Sequence, residues 1–418
     1  MIDLKLLRAS PAQVRAALAR RGDASLTRLL DEIEALDMKR RTLTAQLDQL
    51  KAERNDAAKA DALVAKTQGG LPEATTVARR KLGERITALE SDLRQVETTL
   101  DDKALLVPNL PLPEVPDEQT SLRSWGTPAP KGGKPHWEIA EKLGILDLPR
   151  GAKLTGSGFP VLVGAGARLA RGLINFMLEL HSRQHGYTEV APPFLVRREI
   201  MTGTGQLPKF EEDAYKTTDD LFLIPTAEVP VTNLHRDEIL DGATLPKGYV
   251  AYTPCFRREA GAAGKDTRGL LRVHQFDKVE LVRFCRAADS PAEHETLTLH
   301  AEQVLQLLEL PYRVAVLPAN DLGFAGAKTY DLEAWAPGVG QWLEVSSSST
   351  FTDYQARRAN IRCRPRAGER PEFVHTLNAS GVALPRTIAA LLETHQQPDG
   401  SVILPPALVP YVGTDRLA

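Results

Sequence analysis

The sequence predicts an α+β protein in which an N-terminal antiparallel helical hairpin precedes a larger domain containing antiparallel β-structure. Three observations carry this. Apolar residues in the first hundred positions recur at steps of three and four. A stretch dense in proline and glycine follows, from Val107 to Pro135. Beyond it, the run Val250–Phe284 alternates apolar and polar residues at both ends.

At 418 residues the chain is long enough for two or more domains, and its 42% hydrophobic and 25% charged residues are those of an ordinary soluble globular protein. The net charge of −2 gives no whole-chain basic footprint, so any nucleic-acid contact must come from local patches. Cys255, Cys285 and Cys363 are scattered with no CxxC pair, which argues against a disulfide framework and a cysteine zinc site. The opening MIDLKLLRASP has no basic segment leading into an apolar run, and no stretch approaches the ~20 apolar residues of a membrane span. A cytoplasmic protein with no membrane partner is expected.

After a short amphipathic start that Pro11 punctuates, Leu26, Leu29, Ile33, Leu36, Leu43, Leu47 and Leu50 keep one a/d register. Arg40 fills a skipped a position and Arg54 the next. Leu82, Ile86, Leu89, Leu93, Val96 and Leu100 repeat the register, and QGGLP at 68–72 breaks the helix between them. The pattern predicts an antiparallel coiled coil over about residues 26–103, within an N-terminal region 1–104. A helix of about 40 residues reaches ~60 Å, beyond a compact domain. Two uses fit such an arm: a dimerisation zipper or spacer, or a rod whose Lys39, Arg40, Arg41, Lys51, Arg54, Arg79, Arg80 and Lys81 track a phosphate backbone.

The composition of residues 105–135 reads as an extended linker, leaving 136–418 as the main domain. Near its start PVLVGAG offers Gly164 and Gly166, but Leu169 occupies the third glycine position of a dinucleotide fingerprint and no βαβ unit surrounds it. A helix from about Ala167 to Gln184 is expected instead, then a strand ending at Pro192 and Pro193. His181 and His185, four apart without a third ligand, are expected to face solvent at the helix end.

Val250–Phe284 reads as a long antiparallel hairpin whose mobile basic tip carries Gly261, Gly264 and Gly269. Side chains alternate along a strand, so Arg257 and Glu259 should share one face, as should Phe276 and Glu280. If the two faces coincide, a guanidinium, two carboxylates and a ring meet: groups suited to a phosphate, an amine and a base. An exposed, salt-bridged hairpin would carry the same residues.

Three further stretches bear on the choice. LFLIPTAEVP, residues 221–230, reads as a short strand presenting Thr226 and Glu228, a receptor for an amine or a hydroxyl, or a helix start. In QWLEVSSSST, Glu344 and a neighbouring serine oxygen could hold a hard cation, although four serines suggest a turn. In HTLNASGVALPRT, Asn378, Ser380 and Gly381 are expected at a turn, and Arg386 near a helix N-terminus offers an anion site.

Taken in order, these stretches resemble the class II aminoacyl-tRNA synthetases, and among them the bacterial-type seryl-tRNA synthetase family. The helix and strand ending in proline are similar to motif 1, FRRE with VHQFDKVELV to motif 2, and NASGVALPRT to motif 3. TAEVP, EVSSSS with TDYQARR, and the helical hairpin point to the seryl branch. The resemblance implies a class II antiparallel sheet flanked by helices, working as a homodimer. It also implies activation of L-serine by ATP to seryl-adenylate and transfer to tRNA(Ser), with tRNA(Sec) a second acceptor where it exists.

It further implies roles for residues. Arg257 would bridge the α-phosphate and the serine carboxylate, Glu259 would meet the adenine amine, and Phe276 would stack on the base. Arg258, Val273, Val345 and Ser346 would complete the ATP site. Glu344 and Ser347 would hold Mg²⁺, and Arg386 would clamp the γ-phosphate, making Arg257, Glu344 and Arg386 the catalytic set. Thr226, Ala227, Glu228, Glu280, Asn378 and Ser380 would line the serine pocket. Glu280 is the candidate for accepting the serine hydroxyl, a contact whose loss penalises alanine by ~10⁴ or more. The arm would lie along the long variable arm of the tRNA through backbone contacts.

Pro385 stands where motif 3 usually has glycine, and the serine run lacks the cysteines frequent in relatives; neither removes a contacting side chain. A ligase charging a carrier protein would lack the arm, and an inactive RNA-binding relative would be expected to have lost Arg257, Glu259 or Arg386.

Overall fold

The computed structural model describes residues 1–68, 72–259 and 268–418. Gly69, Gly70 and Leu71 of the expected helix break, and the hairpin tip with Gly261 and Gly264, lie outside them. The chain divides into two compact units, residues 2–108 and residues 109–418 together with Met1.

The smaller unit opens with α1 (Leu4–Ala9), whose N-terminal amides are capped by Asp3 Oδ1, and α2 (Pro11–Ala19), which begins on a proline. Two long helices follow, α3 (Ser25–Gln68) and α4 (Glu73–Leu105). The ion pairs Asp61–Arg79, Lys51–Glu90 and Glu32–Lys103 step along them in opposite directions, so they run antiparallel. Their seam buries Leu47, Leu50 and Ile86, with Leu82, Leu89 and Leu93 packed against it. Toward its N-terminal end α3 departs from a simple a/d stripe. Leu29 and Leu36 are only partly buried, while Leu30 and Asp37 are fully so. The added stripe faces the first two helices, from which Arg8 reaches Asp37.

In the larger unit an eight-stranded sheet organises everything else. Its strands are β1 (Thr120–Trp125), β2 (Thr188–Glu189), β3 (Lys247–Phe256), β4 (Gln275–Cys285), β5 (Tyr312–Val316), β6 (Lys328–Ala336), β7 (Gln341–Thr350) and β8 (His375–Ala383), in the spatial order β1-β5-β6-β7-β8-β4-β3-β2. Every pairing is antiparallel except that of β2 with β3. Segment 105–135, expected as linker, therefore supplies the sheet's edge strand. Edge position lets a short, mostly exposed strand form beside so many prolines and glycines.

The helices that matter for the sheet are α5 (His136–Lys142), α6 (Ala165–Glu179), α7 (Glu228–Thr232), α8 (Ser290–Leu307), α9 (Tyr354–Ala359) and α10 (Leu384–Thr394). One face of the sheet packs Val279, Leu281, Leu332, Ala334, Leu377 and Ala379 against Leu173 and Phe176 of α6, Leu297 and Val304 of α8, and Leu391 of α10. Alternation then sends Phe276, Lys278 and Glu280 of β4, and Asp331 and Glu333 of β6, to the opposite face.

Several local expectations are corrected. The serine run is strand, not turn, because its serines are absorbed in pairs: Ser348 bonds Thr298 of α8 and Ser349 bonds Thr329. Asn378, Ser380 and Gly381 likewise lie within β8. Both strands carry a bulge, an extra residue at Val345 and at Gly381. His181 does not face solvent, and His185 is only partly exposed. A π-helical turn, Leu180–Gln184, continues α6 and rolls His181 into the interior, where its Nδ1 meets His185 Nδ1 at 2.9 Å.

Candidate active site

The polar face of the sheet forms one wall of a cleft of about 850 Å³. Arg257, Phe276, Glu344 and Arg386, gathered from three separate stretches of sequence, all line it.

At one end, β3 stops at Phe256 and the chain turns. Arg257 leaves the strand and lays its guanidinium 5.2 Å from the centre of the Phe276 ring. Glu259 does not share a strand face with it, as alternation would require. It lies beyond the strand, with φ of +51°, and its carboxylate pairs with Arg272 at 2.5 Å. Leu271 and Val273 form the wall beside them.

The middle of the cleft is built by the bulge in β7. Strict alternation would put Glu344 and Ser347 on opposite faces. The extra residue Val345 sets Glu344 opposite Glu333 and Ser347 opposite Asp331, and all four then share one face. Arg386, in the first turn of α10 after Pro385, donates through Nη1 to the Glu344 carboxylate at 3.2 Å and its carbonyl at 2.9 Å, and through Nε to Leu271 O at 3.0 Å. Beneath them, one oxygen of Asp331 is buried without a hydrogen-bond partner. Burial, then the negative charge of Glu344, push that carboxyl well above the ordinary carboxylate range.

Next to Arg257, whose Nε donates to Pro225 O at 3.4 Å, the cleft holds an acidic, enclosed pocket. Glu228 opens α7, its amide held by Thr226 Oγ1 at 3.2 Å. One of its oxygens accepts from Gln355 of α9 at 2.6 Å and the other from Asn378 at 3.1 Å. Asn378 also donates to Glu280 at 2.7 Å, so one amide bridges two buried carboxyl groups, and Lys278 closes on Glu280 at 2.6 Å. Burial, then repulsion by Glu280, raise the Glu228 carboxyl to about 7. Such a pocket suits a small cation carrying its own hydrogen-bond donors.

Of the residues marked in the sequence, Thr226, Glu228, Arg257, Glu259, Val273, Phe276, Glu344, Val345, Ser346, Ser347, Asn378, Ser380 and Arg386 line the cleft. Three do not. Arg258 is exposed, its amide bonded to Asp213 O. Ala227 is fully buried, packed with Val231, Ala251 and Phe284. Glu280 sits behind the wall with both oxygens already taken by Lys278, Asn378 and Ser380. Two participants had not been marked. Lys278 was within reach of the alternation that links Phe276 to Glu280. Gln355 carries no local signal; it is fixed by Thr376 and the Thr204 carbonyl, both distant in sequence.

Residues 1–111 match the seryl-tRNA synthetase N-terminal domain, and residues 209–395 the class II tRNA synthetase core domain of the G, H, P, S and T type. The chain is 55% identical to the serine–tRNA ligase of Gemmatimonas aurantiaca, covering all of both proteins, and 53% identical to that of Pelobacter propionicus over 99% of each. Among solved structures it resembles seryl-tRNA synthetase of Pyrococcus horikoshii at a TM-score of 0.93 and 39% identity, over 100% of this chain and 99% of that one. The cytoplasmic serine–tRNA ligase of Naegleria fowleri aligns at 0.85 and 31%, over 97% and 95%. Likeness of this kind from first residue to last, in sequence and in backbone, means that the chain belongs to the seryl-tRNA synthetase family of serine–tRNA ligases.

Proposed function

We propose that the protein condenses L-serine with ATP to seryl-adenylate in this cleft and then passes the seryl group to the terminal adenosine of tRNA(Ser), and of tRNA(Sec) where it exists. The observation that carries this is the convergence of Arg257, Phe276, Glu344 and Arg386 on one cleft that also holds an acidic pocket. The Pyrococcus relative is described in complex with ATP and the Naegleria one with AMP, which supports a nucleotide in this cleft.

In the first step the serine carboxylate attacks the α-phosphorus, a P–O bond forms, and pyrophosphate leaves with the electrons of the broken α–β bridge. Two anions must meet in line, so the protein's task is positioning and charge neutralisation. Arg257 neutralises the carboxylate and α-phosphate together, while Phe276 stacks on the adenine and Glu259 accepts from its amine. Arg386 exchanges its contact with Glu344 for the γ-phosphate. Glu228, raised to about 7, takes its charge as the serine ammonium arrives. Thr226, Asn378 and Ser380 direct the small substrate, and Glu280 acts through Asn378 and Lys278 rather than from the wall.

The donor set also fits Mg²⁺. Glu344 and Ser347 share a face over a buried, partnerless Asp331 oxygen, and a hard cation takes few carboxylates plus phosphate oxygens. When bound, the ion would supply charge to the β- and γ-phosphates. The 1–104 region is read as the tRNA-binding arm, the sheet-bearing unit 109–418 rather than 136–418 as the catalytic domain, and the working form as a cytoplasmic homodimer. No helix among the described residues is long and apolar enough to cross a membrane.

The test is ATP–pyrophosphate exchange run with each amino acid in turn. Exchange should require serine; exchange driven by another amino acid, or none at all, would overturn the reading. Removing residues 28–100 should spare exchange and cripple transfer to tRNA, and equal loss of both would contradict the division of labour.

A further inference from the structure

Leu270, Leu271, Arg272 and Val273, where the chain returns from the hairpin tip toward β4, form part of the nucleotide wall. What fixes this short irregular run is a buried pair remote from the cleft surface. Leu270 N–H donates to His136 Nε2 at 3.0 Å, which requires that nitrogen to be unprotonated. His136 Nδ1 therefore carries the proton and donates it to Glu393 Oε1 at 2.8 Å. Both side chains are wholly enclosed. Glu393 is also saturated by backbone, with Oε1 accepting from His136 N at 2.9 Å and Oε2 from Val339 N at 3.0 Å. Gly269 lets the chain approach so closely: its φ is +69°, and a Cβ there would lie 2.3 Å from His136 Nε2. Next to it the Arg268 guanidinium covers the Trp137 ring at 4.7 Å.

Glu393 and Arg386 belong to the same helix, α10, seven residues or about two turns apart. Arg386 holds Leu271 O directly, and Glu393 holds Leu270 N through His136. One helix thus grips two consecutive residues of the wall, one directly and one through His136. We propose that His136 and Glu393 are positioning residues for ATP, the carboxylate selecting the imidazole tautomer that anchors the irregular run Leu270–Val273 beside the nucleotide. This rests on the cleft being the ATP site.

The experiment measures KM for ATP and for serine separately, by exchange, in the full-length chain. His136→Ala should raise the ATP KM about tenfold, the cost of one buried donor left without a partner, with little change for serine. His136→Gln, whose amide oxygen can accept from Leu270, should recover most of the loss. Glu393→Leu removes both acceptor oxygens; ¹⁵N resonances of His136 should show its proton no longer fixed on Nδ1, with the same rise in ATP KM. If Glu393→Leu does not fold, the two variants at position 136 decide. An ATP KM unchanged in His136→Ala, or glutamine no better than alanine, overturns the proposal and leaves the pair a purely structural contact. Failure of the wild-type chain to exchange with serine would instead refute the assignment of the cleft.

Discussion

The two units use charge in opposite ways. Along the arm, ion pairs such as Arg28–Glu32 and Lys51–Glu90 stand at the surface, where they contribute little and are screened by salt. In the cleft, buried carboxyl groups are set against other carboxylates: Glu228 against the buried Glu280, Asp331 against the exposed Glu344. Buried like charges cost free energy unless a ligand offsets them, so the cleft is poised for cationic partners. The arm, with its charges already paired or hydrated, has only its shape and its long surface to present.

Breaking that contrast from the cleft side should give the largest effects. On the proposed reading Arg257→Ala removes the cation at the α-phosphate and Arg386→Ala the one at the γ-phosphate, and each should lower the exchange rate by about 10²–10³. Thermal stability should barely move for Arg257, whose side chain is exposed. A loss under about tenfold for either would mean that phosphate charge is neutralised elsewhere.

A smaller and more specific effect is expected at Glu228. Its carboxyl, raised from 4.5 to about 7 by burial and then by Glu280, binds a proton in the folded protein across a pH range where the unfolded chain has lost it. Stability without ligand should therefore fall as pH rises through that window. Serine affinity should move the other way, because the ammonium needs the ionised form. Serine KM should drop as pH rises past about 7. Glu228→Gln should raise serine KM tenfold to about a hundredfold and flatten this pH dependence, leaving ATP KM unchanged. A serine KM independent of pH in the wild type would sink the idea.

The same contrast separates what was legible in the sequence from what was not. Heptads announced the arm because a two-helix seam is written in nearest-neighbour spacing. Residues such as Arg257, Phe276 and Arg386 were recognisable as chemistry, and they do meet. Their geometry was not recoverable from period-two alternation. Glu259 lies past the strand end, and Glu344 and Ser347 come to one face only through the bulge at Val345. That bulge is a register slip against the neighbouring hairpin strand β6, which alternation along β7 alone does not record. Likewise Gln355, held by Thr376 and the Thr204 carbonyl, had no signature, and burial of His181 depended on a π-turn rather than on its spacing from His185.

The smallest effect should come from the one place where the arm resembles the cleft. Asp37 is 3% exposed and gathers Arg8 and Arg40 at 3.0 Å and Arg41 at 3.3 Å. Burial alone would raise this carboxyl, yet the bonded guanidinium groups of Arg8 and Arg40 bring it below its ordinary 3.8. Its folded value being depressed, it stabilises the arm above the unfolded value and loses that contribution as pH falls through the folded one. The arginine side chains remain 31% to 55% exposed, so the cluster is discounted toward the surface range. Asp37→Asn should cost about 1–2 kcal/mol. The change should appear as faster amide hydrogen exchange where α1 packs on α3, with serine-dependent exchange unaffected. Unlike Glu228, Asp37 has its countercharges supplied by the chain, so no substrate should alter the loss. Protection of the Asp37→Asn arm by serine and ATP would show that the two units are energetically coupled after all.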